Sequence, residues 1–384
     1  MTEAIYLDYA ATTPIDERVS RRMLSVQESA YFNPASNHIA GRQSAAIVSE
    51  ATGQLAQLLN VPSSSLLWTS GATESNNLAL LGAARQRAHR GTHLVTMRTE
   101  HKAVVDVFRA LEKQGFNVTW LDPDSDGRLS GERFEAALQD DTQLASVMHV
   151  SNETGVIQHI ERLGEICRSR NILFHVDGAQ SVGKIPLDLT ALPVDLMAMT
   201  AHKFYGPKGV GALYVADGTP LEPQFFGGGQ QRRLRPGTLP VDLIAGMGEA
   251  AAVSDKQIAQ DLAKLAKHKN RLWSGIREVA GVTLNGSGED DYPGILNVGV
   301  SDIEGESLML AMEPVCVAAG SACNSQSQEP SYVLRALGRS DKDAQSAIRF
   351  SLGRPTRDAD IDFAIESYIN AVEKLREIAA GAAA

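Results

Sequence analysis

Lys203 lies in Ala201-His202-Lys203-Phe204-Tyr205-Gly206-Pro207, between apolar runs over 194–199 and 210–215 that read as buried strands. A lysine at the mouth of such a strand can hold a carbonyl cofactor as a Schiff base. Upstream, Asp177 ends a second apolar run, Ile172-Leu173-Phe174-His175-Val176-Asp177. A carboxylate facing a pyridinium nitrogen and a lysine bonded to an aldehyde are the two fixed points of pyridoxal phosphate binding. An aspartate at a strand end is commonly just a helix cap. The pair therefore counts for more than either residue.

Other segments fit around that pair. Thr69-Ser70-Gly71-Ala72-Thr73-Glu74 joins a strand to a helix, and its small residues and free N–H groups make Gly71, Ala72 and Thr73 candidates for a phosphate cup. A plain capped helix start would look the same. Asn152 follows a buried strand in Ser151-Asn152-Glu153-Thr154-Gly155, where it can reach a ring oxygen or a substrate carboxylate, or simply shape a turn. Gln180 follows Asp177 closely enough to share its crevice. His101 could stack on a pyridine ring and move protons near neutral pH. His93, His101 and His202 lack the compact spacing of a zinc site, so no metal is expected. Cys323 sits in the small, polar stretch 318–331, which suits a nucleophile, whereas Cys316 and Cys167 lie in apolar settings expected to be core. Arg349 interrupts the otherwise apolar strand Ile348-Arg349-Phe350-Ser351-Leu352; buried, it needs an anion, such as a substrate carboxylate. The basic loop 230–238 could complete an anion site, within the chain or across a dimer interface, or be a solvated charged loop.

The elements that would position these residues alternate from about 16 to 250. Helical patterns at 42–59, 76–88 and 104–114 alternate with strands at 66–69, 93–97, 118–121 and 143–150. That order predicts an α/β fold with a mostly parallel sheet covered by helices, and ligands beyond the strands' carboxyl ends. After about 255 the pattern changes to a long charged helix (255–279), short strands and helices at 341–348 and 358–380. The expected division is a large domain over 16–255 and a smaller α+β domain from 1–15 and 256–384. With 36 basic and 46 acidic side chains in 384 residues, the charge of −10 argues against general nucleic-acid binding. No apolar run is long enough for a membrane span and no export signal is visible. Three cysteines fit a reducing compartment, so a cytoplasmic location and no Cys316–Cys323 disulfide are expected.

Together these segments resemble cysteine desulfurases of the NifS/IscS type, in the class V aminotransferase-like group of pyridoxal phosphate enzymes, fold type I. The likeness runs from Tyr6-Leu7-Asp8-Tyr9-Ala10-Ala11-Thr12-Thr13-Pro14 to Arg349-Phe350-Ser351-Leu352-Gly353. Its most specific pieces are Asn152-Glu153-Thr154-Gly155, His175-Val176-Asp177-Gly178-Ala179-Gln180, Ala201-His202-Lys203, Arg235-Pro236-Gly237-Thr238 and Ser321-Ala322-Cys323. The resemblance implies that Lys203 binds the cofactor, Asp177 pairs with its ring nitrogen, Gln180 contacts its hydroxyl and His101 stacks on it. Ala72, Thr73, Thr200 and His202 would hold the phosphate, with Thr238 reaching in from a second subunit of a homodimer. Asn152 and Arg349 would bind the substrate carboxylate. Thr200, Pro236 and Asn324 stand where Ser, a small residue and Thr are commoner. The chain also ends soon after its last helix, which puts docking of an iron–sulfur scaffold through an extended tail in doubt.

The implied reaction converts L-cysteine to L-alanine. Lys203 moves the Cα proton, Cys323 takes the sulfur as a persulfide for an acceptor protein, and His101 could deprotonate a thiol. The alternatives are a selenocysteine lyase or aminotransferase on the same scaffold, or an inactive interaction protein.

Overall fold

The computed structural model describes residues 4–288, 290–319 and 329–382. In chain order the elements are β1 (Ile5–Tyr6), α1 (Glu17–Ser29), α2 (Ile39–Leu59), β2 (Leu66–Thr69), α3 (Ala72–Gln86), β3 (His93–Met97), α4 (Lys102–Lys113), β4 (Asn117–Leu121), α5 (Gly131–Ala136), β5 (Thr142–Met148), α6 (Ile160–Ser169), β6 (Leu173–Asp177), β7 (Leu196–Thr200) and β8 (Gly211–Val215). There follow α7 (Val241–Ile276), β9 (Val282–Asn285), β10 (Ile295–Val300), α8 (Gly305–Ala311), β11 (Val315–Cys316), β12 (Ala318–Ala319), α9 (Tyr332–Ala336), α10 (Asp341–Gln345), β13 (Ala347–Ser351) and α11 (Asp358–Ala382).

Seven strands form one sheet in the order β2-β8-β7-β6-β5-β3-β4, and only β8 runs against its neighbours. Every residue of β5, β6 and β7 is buried. Such continuous burial follows from helices covering both faces of a parallel sheet. On one face Val95, Val147, Phe174, Val176 and Met197 pack with Leu55, Leu163 and Met247 from α2, α6 and α7. On the other, Leu94, Leu144, Leu173 and Leu196 meet Leu80 of α3 and Phe108 of α4. The alternation along each strand feeds both layers at once.

A four-stranded antiparallel sheet, β12-β13-β10-β9, packs Val298, Ile348 and Phe350 against Leu272 and Ile276 of α7 and Tyr368 of α11. β1 pairs with β11, and the chain beyond β1 follows β13 through the Asp8↔Ser351 bridge. From there it crosses to the large sheet, where Thr13 N–H donates to the His202 carbonyl at 2.9 Å. We propose that the chain divides as expected, into 16–255 and 1–15 with 256–384. α7 crosses that boundary, its first half in one apolar cluster and its second half in the other.

The expected α/β fold with its mostly parallel sheet is the observed one. Three expectations about elements need correction. The long helix begins at Val241, well before 255. The expected helix over 341–348 stops at Gln345, and Ile348 lies in β13, because Ile348 and Phe350 point into the core beside β10 while Arg349 does not. Cys316 is half-buried, since its short strand β11 pairs only with β1.

Two glycines let the sheet meet the start of α3. A Cβ on Gly211 would lie 2.6 Å from the Gly71 Cα and 2.4 Å from the Met199 carbonyl oxygen. Gly211→Ala is expected to destabilise the protein by roughly 1–3 kcal/mol through overpacking and to weaken cofactor binding. Thermal unfolding and a cofactor titration check both; an unchanged melting temperature counts against this close-contact role.

Candidate active site

A cavity of about 520 Å³ opens beyond the carboxyl ends of β5, β6 and β7. Its wall brings together Gly71, Ala72 and Thr73 from the start of α3, His101 from the start of α4, Asn152 after β5, and Asp177 and Gln180 from the end of β6. Thr200, His202 and Lys203 enter from the end of β7, and Arg349 from β13. Thr238 is exposed and is not part of this wall. Cys323 lies outside the described residues.

Asp177 is 5% exposed at the end of a wholly buried strand. A buried carboxylate is costly unless donors hold it. Here Asn76 Nδ2 donates to Oδ2 at 2.8 Å and Ala179 N–H to Oδ1 at 2.9 Å. The Asn76 carbonyl oxygen, in turn, has no hydrogen-bond partner among the described residues. Asp177 thus presents a held carboxylate to the cavity.

At the other end of the cavity, Thr69 Oγ1 and Ser75 Oγ lie 2.8 Å apart, and Ser75 donates to the Ala212 carbonyl, fixing the first turn of α3 on β8. Glu74 accepts from Ser70 N–H at 2.6 Å and from Arg235 Nε at 2.7 Å. Burial works to raise the Glu74 pKa, but Arg235 and Ser70 outweigh it and hold the carboxyl below its usual range. Arg235, read as part of a possible anion site or a solvated loop, is thus engaged by its own chain's cup.

Lys203 Nζ donates to the Ala10 and Ala11 carbonyls at 2.6 and 2.8 Å. Burial, then the cations Lys203, Lys208 and Lys184, push His202 down to about 4. Gln180 is fixed at both ends of its amide: Nε2 donates to the Ala10 carbonyl and Oε1 accepts from Lys184 Nζ at 2.5 Å. Burial, then Lys203 and Arg349, hold Lys184 well below the usual lysine range.

His101 caps α4, its Nδ1 accepting from Ala103 N–H at 3.1 Å. The neutral ring therefore keeps its proton on Nε2. Burial by the surrounding wall lowers its pKa, so this neutral form is favoured. With Nδ1 engaged, Nε2–H is the group His101 can offer as a hydrogen-bond donor. Among the described residues no cluster could hold a metal ion.

Sequence reasoning missed Asn76, Lys184 and the pairing of Asp8 with Arg349. Asn76 stands in the expected helix, but nothing local says that its side chain meets Asp177. Asp8 lies within the N-terminal motif, so the motif could have marked it.

The chain matches the model of the class-V aminotransferases over residues 5–363. It is 50% identical to a protein named cysteine desulfurase IscS from Cronobacter sakazakii, covering 97% of this chain and 94% of that one. The chain belongs to the cysteine desulfurases of the class-V aminotransferase family. A solved NifS-like protein superposes with a TM-score of 0.91 at 33% identity, covering 97% of this chain and all of that one. SspA, solved in complex with cysteine, gives 0.81 at 35% identity, covering 91% of this chain and 98% of its own. Enzymes of this family depend on pyridoxal phosphate, and the cavity fits it: the carboxylate, the lysine and the small-residue helix start face one space.

Two predictions follow from this geometry. Asn76→Ala is expected to weaken pyridoxal phosphate binding about tenfold, the scale of a lost hydrogen bond to a charged group; unchanged affinity in an absorbance titration refutes it. Burial also pushes His175 down to about 4, so it stays neutral in the fold while the unfolded chain protonates near 6.5. The stability it contributes is full above about pH 6.5 and is lost as pH falls toward about 4. The stability gap between the wild type and His175→Asn should therefore narrow from about pH 7 to about pH 5, a comparison that cancels the opposite contributions of Glu100 and Glu153, whose carboxyls burial pushes up. A constant gap in denaturant titrations contradicts this assignment.

Proposed function

We propose that the chain draws sulfur from L-cysteine onto Cys323, leaving L-alanine, and then passes it to an acceptor protein. The convergence of Asp177, Lys203, Asn152 and Arg349 on one cavity carries this reading. Family membership supports it. Bound there, pyridoxal phosphate supplies an electron sink for the pair left when Cα loses its proton. Lys203 would hold the cofactor covalently, and its freed amine would take the Cα proton and return it. Asp177 would pair with the ring nitrogen, Gln180 with the ring hydroxyl, and His101 would stack on the ring. Gly71, Ala72, Thr73, Thr200 and His202 hold the phosphate, and Asn152 and Arg349 orient the substrate carboxylate.

Sulfur transfer needs a thiolate nucleophile. Cys323 Sγ attacks the substrate sulfur, an S–S bond forms, and the Cβ–S bond breaks. Its electron pair stays on carbon, which then takes a proton. Cysteine and thiol thus become alanine and persulfide with no outside oxidant. His101, with its proton on Nε2, offers a hydrogen-bond donor during these steps.

We place the enzyme in the cytoplasm as a homodimer. No helix among the described residues is long and apolar enough to cross a membrane. Thr238 stands outside its own cavity, as expected of a residue that completes a partner's phosphate site. An aminotransferase needs no cysteine nucleophile, and the relatives named above do not favour that reading or a selenocysteine lyase.

Lys203→Ala is expected to cut alanine formation by about 10²–10⁴-fold or more. Cys323→Ser should abolish persulfide and sulfide while L-cysteine still perturbs the cofactor absorbance. Full alanine and sulfide production by either variant would overturn the scheme.

A further inference from the structure

Arg349 enters the cavity already facing an anion. Nη2 donates to Asp8 Oδ1 at 2.7 Å and Nη1 to the Asn152 carbonyl at 2.8 Å. Nε is buried without a hydrogen-bond partner among the described residues. A guanidinium has a fixed fork of N–H donors. What remains for a substrate lies on the two terminal nitrogens, next to a fixed carboxylate.

The backbone that carries Asp8 is held on both sides. Tyr9 N–H donates to the Ser351 carbonyl and Ala10 N–H to Ser351 Oγ, both on β13 itself. The Tyr6 hydroxyl closes the other side by donating to the Asp8 carbonyl at 2.9 Å. The side chains of Arg349 and Asp8 are only 10% and 21% exposed, so solvent screens the pair weakly. Asp8 also lines the cavity with Asn152 and Arg349.

We propose that Asp8 is a built-in counter-ion that competes with the substrate's α-carboxylate for Arg349 and thereby sets amino-acid affinity. The inference rests on the reading of Arg349 as the carboxylate site. A bound amino acid adds a second anion to a single cation, and like charges placed together are unfavourable. Arg349 therefore binds the carboxylate without holding it tightly, which lets the product, carrying the same carboxylate, leave. Before substrate arrives, Asp8 offsets the cost of an otherwise unpaired buried arginine.

The test uses the cofactor-loaded enzyme and follows cofactor absorbance during titration with L-alanine and with L-alaninamide, which lacks the anionic group. Asp8→Asn keeps an oxygen for Nη2 but removes the charge. The expected result is a Kd for L-alanine about tenfold lower, a KM for L-cysteine that falls with it, and an unmoved Kd for L-alaninamide. Asp8→Ser, a second charge-removing replacement, must shift the alanine constant in the same direction. Melting temperatures confirm that each variant is folded. An unchanged or weaker alanine Kd in folded variants overturns the proposal and leaves Asp8 as a brace for Arg349. Tightening of alanine and alaninamide alike also overturns it. Arg349→Lys separates the two levels: if it leaves alanine binding intact, the carboxylate role of Arg349 fails as well.

Discussion

Asp177 is the constraint around which the site is arranged. A carboxylate is placed at the end of a strand whose every residue is buried, between two other strands of the same kind. Desolvation there is unfavourable, and two donors from the protein meet only part of the demand. The parallel sheet makes the arrangement possible, because its strands end together and open their carboxyl ends on one side. Asp177 at the end of β6 and Thr200 at the end of β7 are thereby neighbours. Lys203 follows on the next turn. Asp177 thereby presents a buried carboxylate to the cavity at the point where these strands end.

The N-terminal segment is the second structural requirement. Residues 8–13 run beside β13 and then along the Lys203 turn, so one short stretch meets Arg349 through Asp8, Gln180 and Lys203 through Ala10, and His202 through Thr13. The two sheets are thus registered against each other by backbone carbonyls and N–H groups.

Much of this was legible in the sequence because the informative residues are marked by local pattern. Asp177 and Lys203 each end or follow an apolar run, and Gly71-Ala72-Thr73 sits at a strand-to-helix junction. Arg349 stood out as a charge within an apolar stretch. The strand over 348–352 was legible in the same run, but the helix before it was carried too far: Asp341-Lys342-Asp343-Ala344-Gln345 ends it, and pairing with β10 and β12 takes Ala347–Ser351 into β13. The partners were harder. Asn76 meets Asp177 across 101 residues, and Asp8 meets Arg349 across 341. Neither contact leaves a spacing to read, because it is created by the packing of α3 on the sheet and of the N-terminus on β13. His101 was visible as a ring near the site, but its tautomer depends on the backbone turn that begins α4.

The continuity of α7 bears on how the enzyme moves. Its 36 residues form one helix of about 54 Å, seated in both apolar clusters. A hinge between the two halves would have to bend this rod or pull its buried residues out of one cluster. Both are unfavourable. Domain opening is therefore a poor route for substrate entry, and traffic into the cavity falls to connecting segments that lack such a splint.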